Sequence, residues 1–136
     1  MVRVDQLPAG VVPERIQSRR IAGWRKPPHT IYVGRPTMWG SRWKVGTWSN
    51  TLGRNVATVE EAIALYGEVG WPEGHMRGWL RENLAGRNLM CWCRLCDVHA
   101  AGKRLGVVCS DCAPCHADWL LNVVNPGAIN RCEIAS

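Results

Sequence analysis

The spacing of apolar and polar positions changes several times along the chain, and each change marks an expected element. Residues 1–13, "MVRVDQLPAGVVP", carry Pro8, Gly10 and Pro13 with no sustained period and read as an N-terminal arm. "RIQSRR" (15–20) and "TIYVG" (30–34) read as short strands joined by the loop "AGWRKPPH". The following "RPTMWGSRWKVGTWSNTLGRN" is rich in Gly, Trp and Arg and lacks a helical period. A structureless stretch of that length in a compact domain is usually functional.

Helical period begins at Thr58. Thr58-Val59-Glu60-Glu61 has the capping-box pattern, in which a hydroxyl and a carboxylate satisfy orphan N–H groups. Ala62, Ile63, Leu65, Tyr66 and Val69 supply an apolar stripe, and Gly70-Trp71-Pro72 stops it. A second helix, about His75 to Ala85, is expected to bury Met76, Trp79, Leu80 and Leu84 before Gly86 ends it. "NLMCW" (88–92) reads as a buried strand, and "PCHADWLLNVVN" as a last helix with Pro114 in its first turn. This order predicts an α/β fold: a single small domain with a short sheet of about three strands and helices packed on it. The domain is expected over 14–125, with a tail over 126–136. A chain of 136 residues suits one such unit.

Before the last helix lies "CWCRLCDVHAAGKRLGVVCSDCAPCHAD" (91–118), which holds six of the seven cysteines and two of the four histidines. The N-terminus lacks the apolar core of a signal peptide, and no run approaches the length of a membrane span. A reducing cytosol is therefore expected, where clustered thiols serve as metal ligands or catalytic groups rather than disulfides. Zinc takes four soft or borderline ligands at tetrahedral geometry, usually delivered as two close pairs. Cys93-x2-Cys96 and Cys109-x2-Cys112 are such pairs, and Cys96-x2-His99 is a third that shares Cys96. Cys96, His99, Cys109 and Cys112 make one four-ligand set that fits the spacing. A set with Cys93 in place of His99 fits the spacing too.

Cys91 and Cys93 sit two apart on a strand and face one side, with Trp92 on the other. Cys115 and His116 fall in the first turn of the last helix, where the macrodipole lowers a thiol pKa. Cys115 as thiolate, with His116 or Asp118 moving the proton, is the candidate catalytic group. A second zinc on Cys91, Cys93, Cys115 and His116 is the competing use of the same residues. Cys132, near the tail, is expected to be incidental.

Charge adds a second candidate surface. Lys and Arg number 17 against 11 acidic residues, a net +6 that favours polyanions. Basic residues are densest between Arg15 and Lys44, threaded with Trp24, Tyr32, Trp39 and Trp43. Arg19, Arg20, Trp24, Arg25, Lys26, Arg35 and Trp39 form the expected phosphate-and-stacking surface for nucleic acid or nucleotide. Arg35 follows the carboxyl end of a strand, where open α/β sheets bind ligands. No Walker loop, Gly-x-Gly-x-x-Gly, His-Glu-x-x-His or zinc-deaminase signature is present.

"RIQSRR…GWRKPPHTIYVGRPTMWGSRW", "LAGRNLMCWC" and "PCHADWLLNVVN" together resemble the family catalogued as domain of unknown function 4326, common in phages of actinobacteria. The resemblance covers roughly residues 14 to 125. Relatives commonly carry Trp-Gly-Asn-Pro-Phe where this chain has Trp39-Gly40-Ser41-Arg42-Trp43. Shorter relatives pass almost directly from the Cys-Trp-Cys strand to the Cys-His helix. The resemblance thus implies that Cys96 to Cys112 is an insertion with its own ligand set, Cys96, His99, Cys109 and Cys112, and that Cys91, Cys93, Cys115, His116 and Asp118 belong to the shared core. This set is favoured over the one with Cys93, because an insertion (93–112) carrying its own metal folds without borrowing from the core. Two functions are expected from these residues. One is a zinc-containing phage enzyme acting on a nucleotide or nucleic-acid substrate in the host cytosol. The other is a non-catalytic, zinc-stapled module that binds nucleic acid or a host protein, without a membrane.

Overall fold

A computed structural model describes residues 4–126. Along the chain run β1 (Glu14–Gln17), β2 (Thr30–Tyr32), a small hairpin of β3 (Trp48–Ser49) and β4 (Arg54–Asn55), α1 (Val59–Leu65), α2 (His75–Leu84), β5 (Asn88–Cys91), β6 (Lys103–Arg104) and α3 (His116–Val124). The main sheet has the order β2-β5-β1-β6. β5 is central and parallel to both β1 and β2, in the registers Ile16↔Met90 and Ile31↔Leu89. Leu89, Met90 and Cys91 are all buried. A parallel strand covered on both faces reads as a continuous apolar run, which explains "LMC" here. α2 and α3 pack on each other, and α3 lies on β5 and β1.

Three strands were expected in the main sheet and four are present, with a second two-stranded sheet besides. β6 comes from the cysteine-rich segment and pairs antiparallel with β1 through Arg15↔Lys103. The β3–β4 hairpin lies inside the stretch read as structureless. Its strands are two residues long, too short for an alternating period, and Gly53 turns it with φ at 69°.

α1 starts as the capping pattern requires. The Glu61 N–H donates to Thr58 Oγ at 3.1 Å, and the Ala57 N–H donates to the Glu61 carboxylate at 2.8 Å. Arg54 forms an ion pair with the same carboxylate, which holds Glu61 down at about 2. Past Leu65 the helix widens into a π-turn, Tyr66–Gly70. An extra residue per turn shifts the apolar stripe. Tyr66 is therefore buried while Val69, expected to be buried, is 39% exposed. Met76 and Trp79 also miss their expected burial, each at 40% exposure. Trp79 instead stacks between Trp39 and Trp71, at ring separations of 6.4 and 6.0 Å.

Residues 4–13 carry no regular element, yet they are tied down. The Leu7 N–H donates to the Gly86 carbonyl at 2.7 Å, and Arg87 Nε donates to the Val4 carbonyl at 2.7 Å. Cys132 and nearly all of the expected tail lie outside the described residues. Among the described residues, no helix is long and apolar enough to cross a membrane.

Candidate metal centres and ligand cavity

The cysteine-rich segment brings Cys96, His99, Cys109 and Cys112 together, with one ligand atom from each within 4.8 Å of all the others. His99 Nδ1 faces Cys96 Sγ at 3.3 Å and Cys112 Sγ at 3.5 Å. The backbone builds this cluster from two tight turns. The His99 N–H donates to the Cys96 carbonyl, which closes the Cys-x2-His turn. The Asp111 and Cys112 N–H groups donate to Cys109 Sγ, and with Asp111 first they lower its thiol pKa. The Cys96 N–H donates to Cys112 Sγ at 3.3 Å. Backbone N–H groups aimed at sulfur favour thiolate, the form that binds metal. These four residues are positioned to hold a metal ion. Cys93, the competing ligand, belongs elsewhere.

A second cluster joins Cys91, Cys93 and Cys115, whose sulfurs also lie within 4.8 Å of one another. Cys91 and Cys115 are 2.8 Å apart, wider than the ~2.05 Å of a disulfide. Cys115 is the N-cap of α3 rather than a residue of its first turn, with Pro114 outside the helix. Its burial reverses a second expectation. Cys115 is only 3% exposed, and its hydrogen bonds with Cys91 and Cys93, followed by burial, push its thiol well above the usual range. The helix terminus does not overcome them. Negative charge settles instead on half-buried Cys93, which is held far below the usual thiol range by bonds with Cys115 and Cys91 and by nearby Arg15. Cys91 is pushed up to about 12: its bond with Cys115 pulls down, but the bond with Cys93 and burial outweigh it.

His116 completes this region. Its Nε2 lies 2.8 Å from the Val33 carbonyl, which can only accept, so Nε2 carries the proton. Nδ1 is left facing Cys115 Sγ at 3.7 Å. Burial lowers the His116 pKa and keeps the ring neutral. Asp118 points away from this pair. It accepts from Arg15 at 2.7 Å and from Lys103 at 3.1 Å, and it borders a separate hollow beside Lys103. The structure therefore does not gather Cys115, His116 and Asp118 around one open space.

A cavity of about 330 Å³ opens where β2 and β5 end. Tyr32, Gly34, Arg35, Ser41, Trp92 and His116 line it, with Cys91 and Cys93 in its floor. The size falls within the range of small-ligand sites, and the place is the carboxyl end of a parallel sheet. Arg35 Nε donates to the Ser41 carbonyl at 2.5 Å, and the Tyr32 hydroxyl donates to the Arg35 carbonyl at 2.7 Å, so the loop is braced from both sides. Among the described residues no carboxylate pairs with Arg35.

The expected basic and aromatic surface divides. Arg35 is in the cavity, and the Arg20 guanidinium lies 5.1 Å over the Trp92 ring at its edge. Arg19 donates to the Ala100 carbonyl at 3.4 Å. Trp24, Arg25 and Lys26 sit in the loop after β1 and do not line the cavity. Trp39 packs against the core on Trp79, so its ring is not offered as a platform. Trp92 and Tyr32 are the aromatic walls instead. Trp92 had a signal, since strand alternation sets it opposite Cys91 and Cys93, but its nearness to Arg35 needed the sheet order.

Fold and site define a small α/β protein with two cysteine-rich clusters able to hold a metal ion and a cavity at the carboxyl ends of its parallel strands. The chain belongs to the family described as domain of unknown function (DUF4326), whose model matches residues 16–101. That match takes in Cys91, Cys93, Cys96 and His99 and stops before Cys109, Cys112, Cys115 and His116, short of the range read from the motifs. No curated protein and no solved structure matches the chain.

Proposed function

We propose that this protein is a zinc-stapled binding module that takes a phosphorylated ligand, a nucleotide or a nucleic-acid strand, into the cavity at the ends of β2 and β5. One observation carries the reading: Arg35, unpaired with any described carboxylate, shares a 330 Å³ cavity with the rings of Trp92 and Tyr32. An arginine fork suits phosphate, and an aromatic face suits a base. The net charge of +6 supports the same class of ligand.

Zinc is the ion that suits the insertion. Three thiolates and one imidazole form a tetrahedral donor set, and four protein ligands leave no open position for chemistry. A host cytosol, reducing enough to keep these thiols free, is compatible with that set. Binding is preferred over catalysis because Cys115, the expected nucleophile, is 3% exposed. Of the expected catalytic residues, only His116 lines the cavity.

Titration of the zinc-loaded protein with mononucleotides and short single-stranded DNA, at about 20 and about 200 mM salt, tests the proposal. Binding that weakens with salt and is lost in Arg35→Ala is the expected result. No binding to either probe at the lower salt refutes it.

A further inference from the structure

We infer that Cys91, Cys93, Cys115 and His116 form a second metal site, closed by four protein ligands, in the floor of the ligand cavity. This goes beyond the staple in the insertion and does not depend on what the cavity binds.

The ligand atoms come as two close pairs, Cys-x-Cys at the end of β5 and Cys-His at the start of α3. Their three sulfurs lie within 4.8 Å of one another. Sulfurs about 2.3 Å from a tetrahedral ion stand roughly 3.8 Å apart, so small rotations of these side chains suffice. His116 already has the tautomer of a ligand. Nε2–H is spent on the Val33 carbonyl at 2.8 Å, and the Nδ1 lone pair faces Cys115 Sγ at 3.7 Å. Metal-bound histidines are held by this kind of outer hydrogen bond.

Charge points the same way. Wholly buried Arg15 sets a positive charge beside Cys115 and Cys91, which a thiolate-rich centre offsets. Arg15 also donates to the Cys93 and Arg94 carbonyls at 3.3 Å, so its guanidinium braces the turn that presents Cys93. Three thiolates select a borderline ion such as zinc over magnesium or calcium. With all four positions filled by protein, the ion fixes the cavity floor and does not activate water.

The test counts metal in the full chain expressed with zinc, by elemental analysis after exhaustive dialysis. Two ions per chain are expected. Cys109→Ser with Cys112→Ser should keep one, and Cys91→Ser with Cys115→Ser should also keep one. If wild type holds a single ion, the insertion variant separates the two readings. Retention of that ion leaves the proposed site standing and removes the staple, whereas loss of it overturns the proposed site. A count of two that survives Cys91→Ser with Cys115→Ser overturns it as well, and so does a Cys91–Cys115 disulfide found by mass spectrometry in metal-loaded protein. Should that double variant fail to fold, cobalt titration of Cys109→Ser with Cys112→Ser decides. One equivalent with an intense tetrahedral band and three thiolate charge-transfer contributions is expected, and no such band refutes the site.

Discussion

Arg15 and Asp118 lie 103 residues apart and meet at 2.7 Å, joining the middle of the sheet to the last helix. Arg15 is fully buried and Asp118 is 31% exposed. Breaking a buried pair on one side strands the other charge. Asp118→Asn should therefore cost about 3 kcal/mol of stability, the low end for such pairs because the carboxylate is partly solvated. Denaturant unfolding of the metal-loaded variant checks this. Ligand binding should persist in the folded variant; a loss of binding at unchanged stability would return Asp118 to the functional site.

His99→Ala and Cys109→Ser should each release an ion held by the Cys96, His99, Cys109 and Cys112 cluster, while Cys93→Ala should retain it. Cys93 lies in the other cluster, so it cannot substitute for His99. Metal release to a chromophoric chelator distinguishes the variants, and the opposite pattern would show that this cluster borrows Cys93.

In the cavity, Trp92→Ala should weaken binding of a base-containing ligand by about 1–3 kcal/mol. Arg35→Ala should weaken all phosphorylated ligands and make the salt slope shallower by about one. Trp39→Ala should behave differently. Its ring packs in the core, so about 2–4 kcal/mol of stability is lost with little change in affinity of the folded fraction. Paired melting and binding curves separate the two tryptophans.

Tyr66 gives a pH signature. Burial, first, raises its pKa above the usual tyrosine value of 10.0, and its hydroxyl donates to the Trp39 carbonyl at 2.5 Å. A raised acid favours the folded state until the unfolded tyrosine ionises. The contribution is complete below pH 10.0 and falls as pH rises above that value toward the folded pKa. Stability of wild type should thus decline more steeply above pH 10.0 than that of Tyr66→Phe, with the excess absorbance of tyrosinate appearing only on unfolding.

Gly67→Ala should destabilise by about 1–3 kcal/mol through overpacking. A Cβ there would meet the Trp119 ring at 2.6 Å. Recovery of stability in Gly67→Ala with Trp119→Leu would tie the effect to that ring.

The legible parts of this chain are those whose cause is local. The Thr58 cap, the "LMC" strand and the turns Cys96-x2-His99 and Cys109-x2-Cys112 each depend on neighbours within a few residues, and each is found where its pattern lies. The illegible parts depend on sheet order. Arg15 only opens the basic stretch of the sequence, yet it is wholly buried because β5 and β6 flank it. Trp39 and Trp92 look alike in composition, and only the packing of α2 sends the first inward. Cys115 follows a proline before a helix, a setting that suggests reactivity. Two sulfurs more than 20 residues upstream decide otherwise.

The central place of β5 also governs how the chain is born. β1 and β2 do not pair with each other; both wait for residues 88–91. On the ribosome, neither early strand can enter the sheet until more than half of the polypeptide has been translated. Until then both expose unpaired backbone edges. Arrival of β5 closes both pairings in one step, so the nascent chain gains its structure late and at nearly one point in its synthesis.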